Sequence, residues 1–124
     1  LTHAAVDLVI LSGYLRKLGP AILAAFDGRI LNVHPALLPK FGGKGMYGAR
    51  VHEAVLAQGE TQTGATIHLV DAEYDHGRTI AQSRIAIEPG DGVQEIQAKV
   101  MKAESSLFVE TVRRIADGEL KLPL

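Results

Sequence analysis

The sequence has no cysteine, no long apolar run and no cluster of basic residues, and each absence excludes a class of protein. Without cysteine the chain has no disulfide, no thiolate nucleophile and no sulfur ligand for zinc. No apolar stretch reaches the roughly 18 residues of a membrane helix, and we find no signal-peptide pattern. The formal net charge is −1, so we expect neither nucleic acid nor an anionic membrane as a partner. The expected compartment is the cytoplasm.

The length of 124 residues suits one domain with a core of its own. The chain opens with Leu1 instead of methionine and reaches the apolar pattern of a strand within a few residues. We therefore expect this sequence to be part of a longer protein.

The most informative stretch runs from residue 29 to residue 40, RILNVHPALLPK. It begins as an apolar run typical of a buried strand, in which Asn32 and His34 project to the same face. Pro35 cannot donate to a sheet ladder and therefore ends the strand. An amide and an imidazole are thus expected side by side at the carboxyl end of a strand, where open α/β sheets bind ligands. A purely structural, satisfied histidine is the alternative.

Apolar periodicity divides the chain into strands and helices. It predicts strands at 6–11, 29–33, 64–70 and 79–87, and helices at about 20–26, 49–58 and 93–116. The succession of strand, short helix and strand up to residue 33 implies a right-handed crossover and a parallel pair. On the last helix the apolar positions recur at three to four residues or close multiples, namely Ile96, Val100, Leu107, Thr111 and Ile115.

Two further polar features are expected near Asn32 and His34. One is His68 on the third strand, and the other is an acidic loop, 71–77, that contains Asp75. An imidazole beside a carboxylate, with an amide donor nearby, suits proton transfer combined with stabilisation of an oxyanion. The structural alternatives are a packed strand residue for His68 and a loop cap for Asp75.

Two other patterns carry no site. His52-Glu53 begins like the zinc-protease motif H-E-x-x-H, but Leu56 stands where the second histidine would be, so we expect no metal there. The glycine-rich loop 41–48 lacks the spacing of the known phosphate-binding loops, and a surface loop is the better interpretation.

The segments Asn32-x-His34-Pro35-x-Leu37-Leu38-Pro39 and Asp75-x-Gly77 together resemble the glycinamide ribonucleotide formyltransferase family. The resemblance extends over essentially the whole chain, including 13–18, 64–68, Gly90-Asp91 and 116–120. It implies an α/β fold, part of a doubly wound, Rossmann-like domain with a mostly parallel sheet, flanking helices and a long C-terminal helix. It also implies an enzyme of purine biosynthesis and one-carbon metabolism.

The resemblance further implies the reaction and its residues. A formyl group would pass from 10-formyltetrahydrofolate to the amine of glycinamide ribonucleotide, without a metal. Asn32 and His34 would hold the developing oxyanion, and Asp75 would pair with His34 and manage protons. Glu104, together with Asn32, would contact the ribonucleotide. The matching positions for folate binding are Arg16, Lys17, Leu18, Asp71, Ala72, Glu73 and Tyr74.

Residues 1–124 would then be the C-terminal catalytic and folate-binding portion of the domain, without its N-terminal phosphate-binding half. Such a portion is expected to bind the ribonucleotide poorly and to self-associate through an exposed sheet edge. Three alternatives stay open: a 10-formyltetrahydrofolate hydrolase, another folate-dependent amine formyltransferase, and a non-catalytic unit that needs its N-terminal half.

Overall fold

The computed structural model describes residues 8–12, 20–26, 28–38, 40–42, 48–70 and 79–121. These residues form four strands and three helices, which alternate along the chain except that the fourth strand follows the third directly. The strands are β1 (Val9–Ser12), β2 (Ile30–His34), β3 (Gln62–Leu69) and β4 (Thr79–Ala86), and the helices are α1 (Pro20–Ala25), α2 (Ala49–Ala57) and α3 (Val93–Ala116). Each lies within a few residues of its predicted bounds. None of the helices in these ranges is long and apolar enough to cross a membrane.

The four strands form one sheet in the order β1-β2-β3-β4. The β1–β2 pair is parallel, as predicted from the intervening helix, with Val9 beside Ile30. The β2–β3 and β3–β4 pairs are antiparallel. The α/β class, the flanking helices and the long C-terminal helix are confirmed, but the expectation of a mostly parallel sheet is wrong for this part of the fold. The segment between β3 and β4 is shorter than the dozen or more residues of a parallel crossover, so β4 must run back along β3.

One face of the sheet is apolar and lies under α3. Leu31 and Val33 of β2 and Ile67 of β3 form its buried centre, and Leu107 and Ile115 of α3 pack against them. Buried side chains recur along α3 in the predicted register. Burial of this stripe against the sheet is the main stabilisation that a long helix receives.

The other face carries the polar residues. Side chains alternate along a strand, so Asn32 and His34 point away from α3. The register places His68 directly opposite Asn32, and Thr66 directly opposite His34. These four neighbouring side chains form a polar patch in the middle of the sheet, which we call the polar ladder. Three of them are almost fully buried, and Asn32 is half-buried.

A second apolar cluster covers the carboxyl end of β2. It joins Ala36 and Phe41 to Val51 and Val55 of α2. These contacts fold the segment that follows β2 back over the sheet, toward the side that carries the polar ladder. The residues after Pro35 are therefore held in place by apolar packing.

Candidate active site

The side-chain amide of Asn32 is oriented by His68. The Nδ1 atom of His68 lies 3.0 Å from the carbonyl oxygen of Leu69, so Nδ1 must donate. In the neutral ring, Nε2 is then an acceptor. It lies 3.2 Å from Nδ2 of Asn32, which donates to it. The amide therefore keeps a second N–H for another partner.

The amide oxygen of Asn32 has a different environment. Oδ1 is buried and has no hydrogen-bond partner among the described residues. Buried acceptors are rarely left without a partner, because the loss of hydration is costly. Asn32 thus offers one N–H and one carbonyl oxygen to a group that both donates and accepts.

His34 is held by a backbone carbonyl. Its ring is buried, and Nε2 lies 2.7 Å from the carbonyl oxygen of Phe41. A carbonyl oxygen can only accept, so Nε2 carries a hydrogen. Any further proton that His34 takes up or releases must therefore be on Nδ1. This geometry assigns the proton-exchanging atom of the ring.

His52 is a third buried histidine, which the sequence did not point to as a functional residue. It is 2% exposed on the inner side of α2, and its Nδ1 atom has no hydrogen-bond partner in the described part of the chain. Its pKa is lowered, first by burial and then by the charge that His34 would carry. The lowered pKa favours the neutral form of His52. The sequence singled out His52 only as part of the incomplete H-E-x-x-H pattern, which was rejected as a metal site.

Glu104 lies on α3, which covers the opposite face of the sheet from Asn32 and His34. Its carboxylate has no hydrogen bond or ion pair with any residue the structure describes. Burial raises its pKa. A half-buried carboxylate with no partner among the described residues is costly to charge. It is also a ready acceptor for ligand hydroxyl groups.

Replacement of Glu104 by glutamine is expected to increase the free energy of unfolding at pH 7. A carboxyl whose folded pKa is raised stabilises the fold below its unfolded pKa of about 4.5, and this contribution is lost as the pH rises through the folded pKa. The gain should therefore shrink when both proteins are measured near pH 4. Urea denaturation at the two pH values measures it, with Glu53→Gln on the exposed side of α2 as the control. A loss of stability at pH 7 would show instead that the carboxylate makes a favourable contact.

All seven predicted folate-binding positions and one predicted catalytic residue lie outside the described residues. They are Asp75, Arg16, Lys17, Leu18, Asp71, Ala72, Glu73 and Tyr74. The proximity of Asp75 to His34 therefore stays a prediction. Within the described ranges, no three His, Asp or Glu side chains group closely enough to hold a metal ion.

A cavity of about 240 Å³ lies beside the polar ladder but does not include it. Its lining includes Leu38, Phe41 and Thr63, together with an ion pair between Lys40 and Glu60. None of Asn32, His34 and His68 lines it. We place the candidate site at the polar ladder, where orientable donors and acceptors converge, and not at this cavity.

Known proteins match this chain over most of its length. The formyl transferase family matches residues 1–112. The chain is 47% identical over 116 residues to the chloroplastic phosphoribosylglycinamide formyltransferase of Arabidopsis thaliana, covering 94% of this chain and 40% of that protein. It is 36% identical over 118 residues to the phosphoribosylglycinamide formyltransferase of Escherichia coli K12, covering 95% of this chain and 53% of that protein.

The fold of this chain also matches the solved structure of a relative. The phosphoribosylglycinamide formyltransferase of Streptococcus pneumoniae superposes with a TM-score of 0.81 at 38% identity, over 92% of this chain and 61% of that one. The chain thus spans about half the length of the relatives it matches. From the matched residues and the shared fold, the chain belongs to the formyl transferase family.

Proposed function

We propose that this chain carries the formyl-transfer residues of a phosphoribosylglycinamide formyltransferase. Such an enzyme moves a formyl group from 10-formyltetrahydrofolate to the amine of glycinamide ribonucleotide. The observation that supports this most directly is the polar ladder, where an oriented amide and a buried imidazole lie side by side at a strand end. The relatives at 47% and 36% identity are phosphoribosylglycinamide formyltransferases, which supports the same acceptor, and the folate donor follows from the family resemblance.

The polar groups suit each step of this transfer. The amine attacks the formyl carbon, and the carbonyl electrons move to oxygen as the new C–N bond forms. One N–H of Asn32 and a proton on Nδ1 of His34 stabilise that oxyanion. The bond from the formyl carbon to N10 of the folate then breaks. The proton lost by the amine passes through Asp75, or a water that Asp75 holds, to N10 of tetrahydrofolate.

The remaining site residues of the proposal come from the family resemblance. Glu104 would accept hydrogen bonds from the ribose of the ribonucleotide, and its half-buried carboxylate, which has no partner in the described part of the chain, supports that role. Folate would contact Arg16, Lys17, Leu18, Asp71, Ala72, Glu73 and Tyr74.

We further propose that residues 1–124 form the catalytic and folate-binding portion of a larger site. The relatives are about twice as long as their matched stretches, and the ribonucleotide phosphate would bind in the part that this chain does not match. The strand β1 is at one end of the described sheet and β4 at the other. Self-association through an open sheet edge follows from this proposal, and sedimentation of the purified chain would test it.

A chimera tests the proposed activity. In it, this chain replaces the stretch that it matches in the Escherichia coli relative, so the remaining part of the site comes from that protein. We expect formyl transfer from 10-formyltetrahydrofolate to glycinamide ribonucleotide, followed by the absorbance change of the folate product. The matched control is the chimera with His34→Ala, which should be inactive. Release of formate without ribonucleotide would indicate a hydrolase, and inactivity of a folded chimera would contradict the proposal.

Substitution of Asp75 by asparagine in the chimera is expected to lower the rate of transfer on the order of 10²-fold or more, as for loss of a general acid–base partner. The carboxylate would act on protons and on the imidazole charge, so the loss should appear in kcat and much less in folate affinity. Steady-state kinetics and a folate-binding titration separate the two effects. Equal losses would make Asp75 a binding residue.

A further inference from the structure

A hydrogen-bond cluster next to the polar ladder holds the segment that follows β2. The hydroxyl of Thr66 donates to the carbonyl oxygen of Ala36 at 2.7 Å and accepts from the backbone N–H of Leu38 at 3.2 Å. It also accepts from Nε2 of Gln82 at 3.1 Å. One donated and two accepted bonds use the full capacity of a hydroxyl group. The Thr66 side chain is fully buried, so each of these bonds is protected from water.

Gln82 completes the cluster from the neighbouring strand. Its Nε2 atom donates to the carbonyl oxygen of Leu38, also at 3.1 Å. The orientation of this amide is determined, because a carbonyl oxygen at Leu38 can only accept. Both hydrogens of the amide nitrogen are therefore used. Gln82 lies directly opposite Thr66 on β4, and Thr66 lies directly opposite His34 on β3.

The cluster acts on the segment that orients His34. It holds three backbone atoms of this segment, the carbonyl oxygens of Ala36 and Leu38 and the N–H of Leu38. Three residues further on, the carbonyl oxygen of Phe41 accepts the Nε2 hydrogen of His34. The position of that carbonyl depends on where the segment turns back over the sheet. The side chain of Phe41 provides the second anchor, because it is buried against α2.

We infer that Gln82, acting through Thr66 and the 36–41 segment, is a positioning residue for His34. It would hold the Phe41 carbonyl where it keeps the hydrogen of His34 on Nε2, so that Nδ1 remains the proton-exchanging atom. The amide of Gln82 bonds to Thr66 and to the Leu38 carbonyl, so it would act on the reaction through them. The inferred effect on the His34 ring is independent of the reaction, whereas its effect on catalysis rests on the proposed function.

The first test uses the full chain and nuclear magnetic resonance. Gln82→Met removes both donors while keeping an unbranched side chain of similar length. We expect exchange of the His34 Nε2 hydrogen with solvent to accelerate on the order of 10-fold or more, as local opening becomes easier. Exchange of the backbone amide of Val100, buried on α3, reports global opening and should change little. A purely structural role would accelerate both alike. Gln94→Met, at an exposed position of α3, is the matched control.

A second pair of variants tests the same cluster through Thr66. Thr66→Ser keeps the hydroxyl and should leave exchange of the His34 hydrogen near its original rate. Thr66→Val keeps the shape but removes the hydroxyl, and it should accelerate that exchange as Gln82→Met does. Unchanged exchange of the His34 hydrogen in both Gln82→Met and Thr66→Val would overturn the inference.

Kinetics in the chimera give an independent readout. If the ring is displaced, Gln82→Met should lower kcat by about 10-fold while KM for the folate stays nearly constant, since misplacement of a reacting group acts on the transition state. A change in KM without a change in kcat would contradict the inferred effect of Gln82 on catalysis. An inactive chimera whose His34 exchange still responds to Gln82→Met would contradict the proposed function but support the positioning role.

Discussion

Replacement of Asn32 by aspartate is expected to lower kcat for formyl transfer in the chimera on the order of 10²- to 10³-fold, as for removal of an oxyanion donor. The new side chain has the same shape but no N–H group, and it places a negative charge where the oxyanion would form. Folate affinity should change much less, because the lost interaction belongs to the transition state. Initial rates with saturating substrates and a folate titration measure the two effects separately.

The control for this substitution is Gln94→Glu, which makes the same amide-to-acid change at an exposed position of α3. No effect on kcat is expected from it. Circular dichroism and urea denaturation of the Asn32→Asp protein would show that the fold survives the loss of the bond to His68. An unchanged kcat in a folded variant would remove Asn32 from the proposed oxyanion site.

Gly64→Ala is expected to have the largest effect on stability, with a loss of about 3 kcal/mol or more, at or above the upper end for overpacked interiors. An added Cβ atom would lie 1.8 Å from the carbonyl oxygen of Ser83 and 2.9 Å from a methyl group of Leu37. The first contact is with backbone, and Gly64 is paired with Arg84 in the ladder between β3 and β4. The strands cannot separate there without breaking ladder hydrogen bonds. Urea denaturation of the chain measures the loss.

Gly92→Ala is the matched control for this prediction. The nearest atoms to an added Cβ at Gly92 belong to the Glu95 carboxylate, at 3.3 Å, and that flexible side chain can move away. Its backbone is extended, with φ of −97°, which any residue adopts. A similar loss of stability at both positions would show that the close approach at Gly64 does not determine the effect.

Local patterns predicted the elements of this fold closely. The apolar run before Pro35 predicted β2 nearly to the residue, because proline cannot continue a ladder and the preceding side chains bury on both faces. The apolar repeat from Ile96 to Ile115 predicted α3 and its packed face, because residues three to four positions apart lie on the same side of a helix. The placement of Asn32 and His34 on one face followed from the same period-two rule.

The sequence pattern did not predict which side chains meet across neighbouring strands. A single polar residue on a strand, such as His68, is interpreted as structural while its neighbour on the next strand is unknown. The β2–β3 register places His68 opposite Asn32. Gln82 gave no sequence signal of any kind. Its two bonds exist because β4 runs antiparallel to β3 and sets its amide beside Thr66 and the Leu38 carbonyl.

The sequence by itself determined the order and bounds of the strands and helices, the apolar face under α3, and the adjacency of Asn32 and His34. These features depend on interactions between residues close in the chain, and such interactions can be predicted from the spacing of apolar residues and from the turn residues. The tertiary structure alone decided the antiparallel pairings, the orientation of the Asn32 amide by His68, and the bond from His34 to the Phe41 carbonyl. Each of these depends on which distant segments meet and in what register, and a register shift of one residue would turn every side chain to the other face.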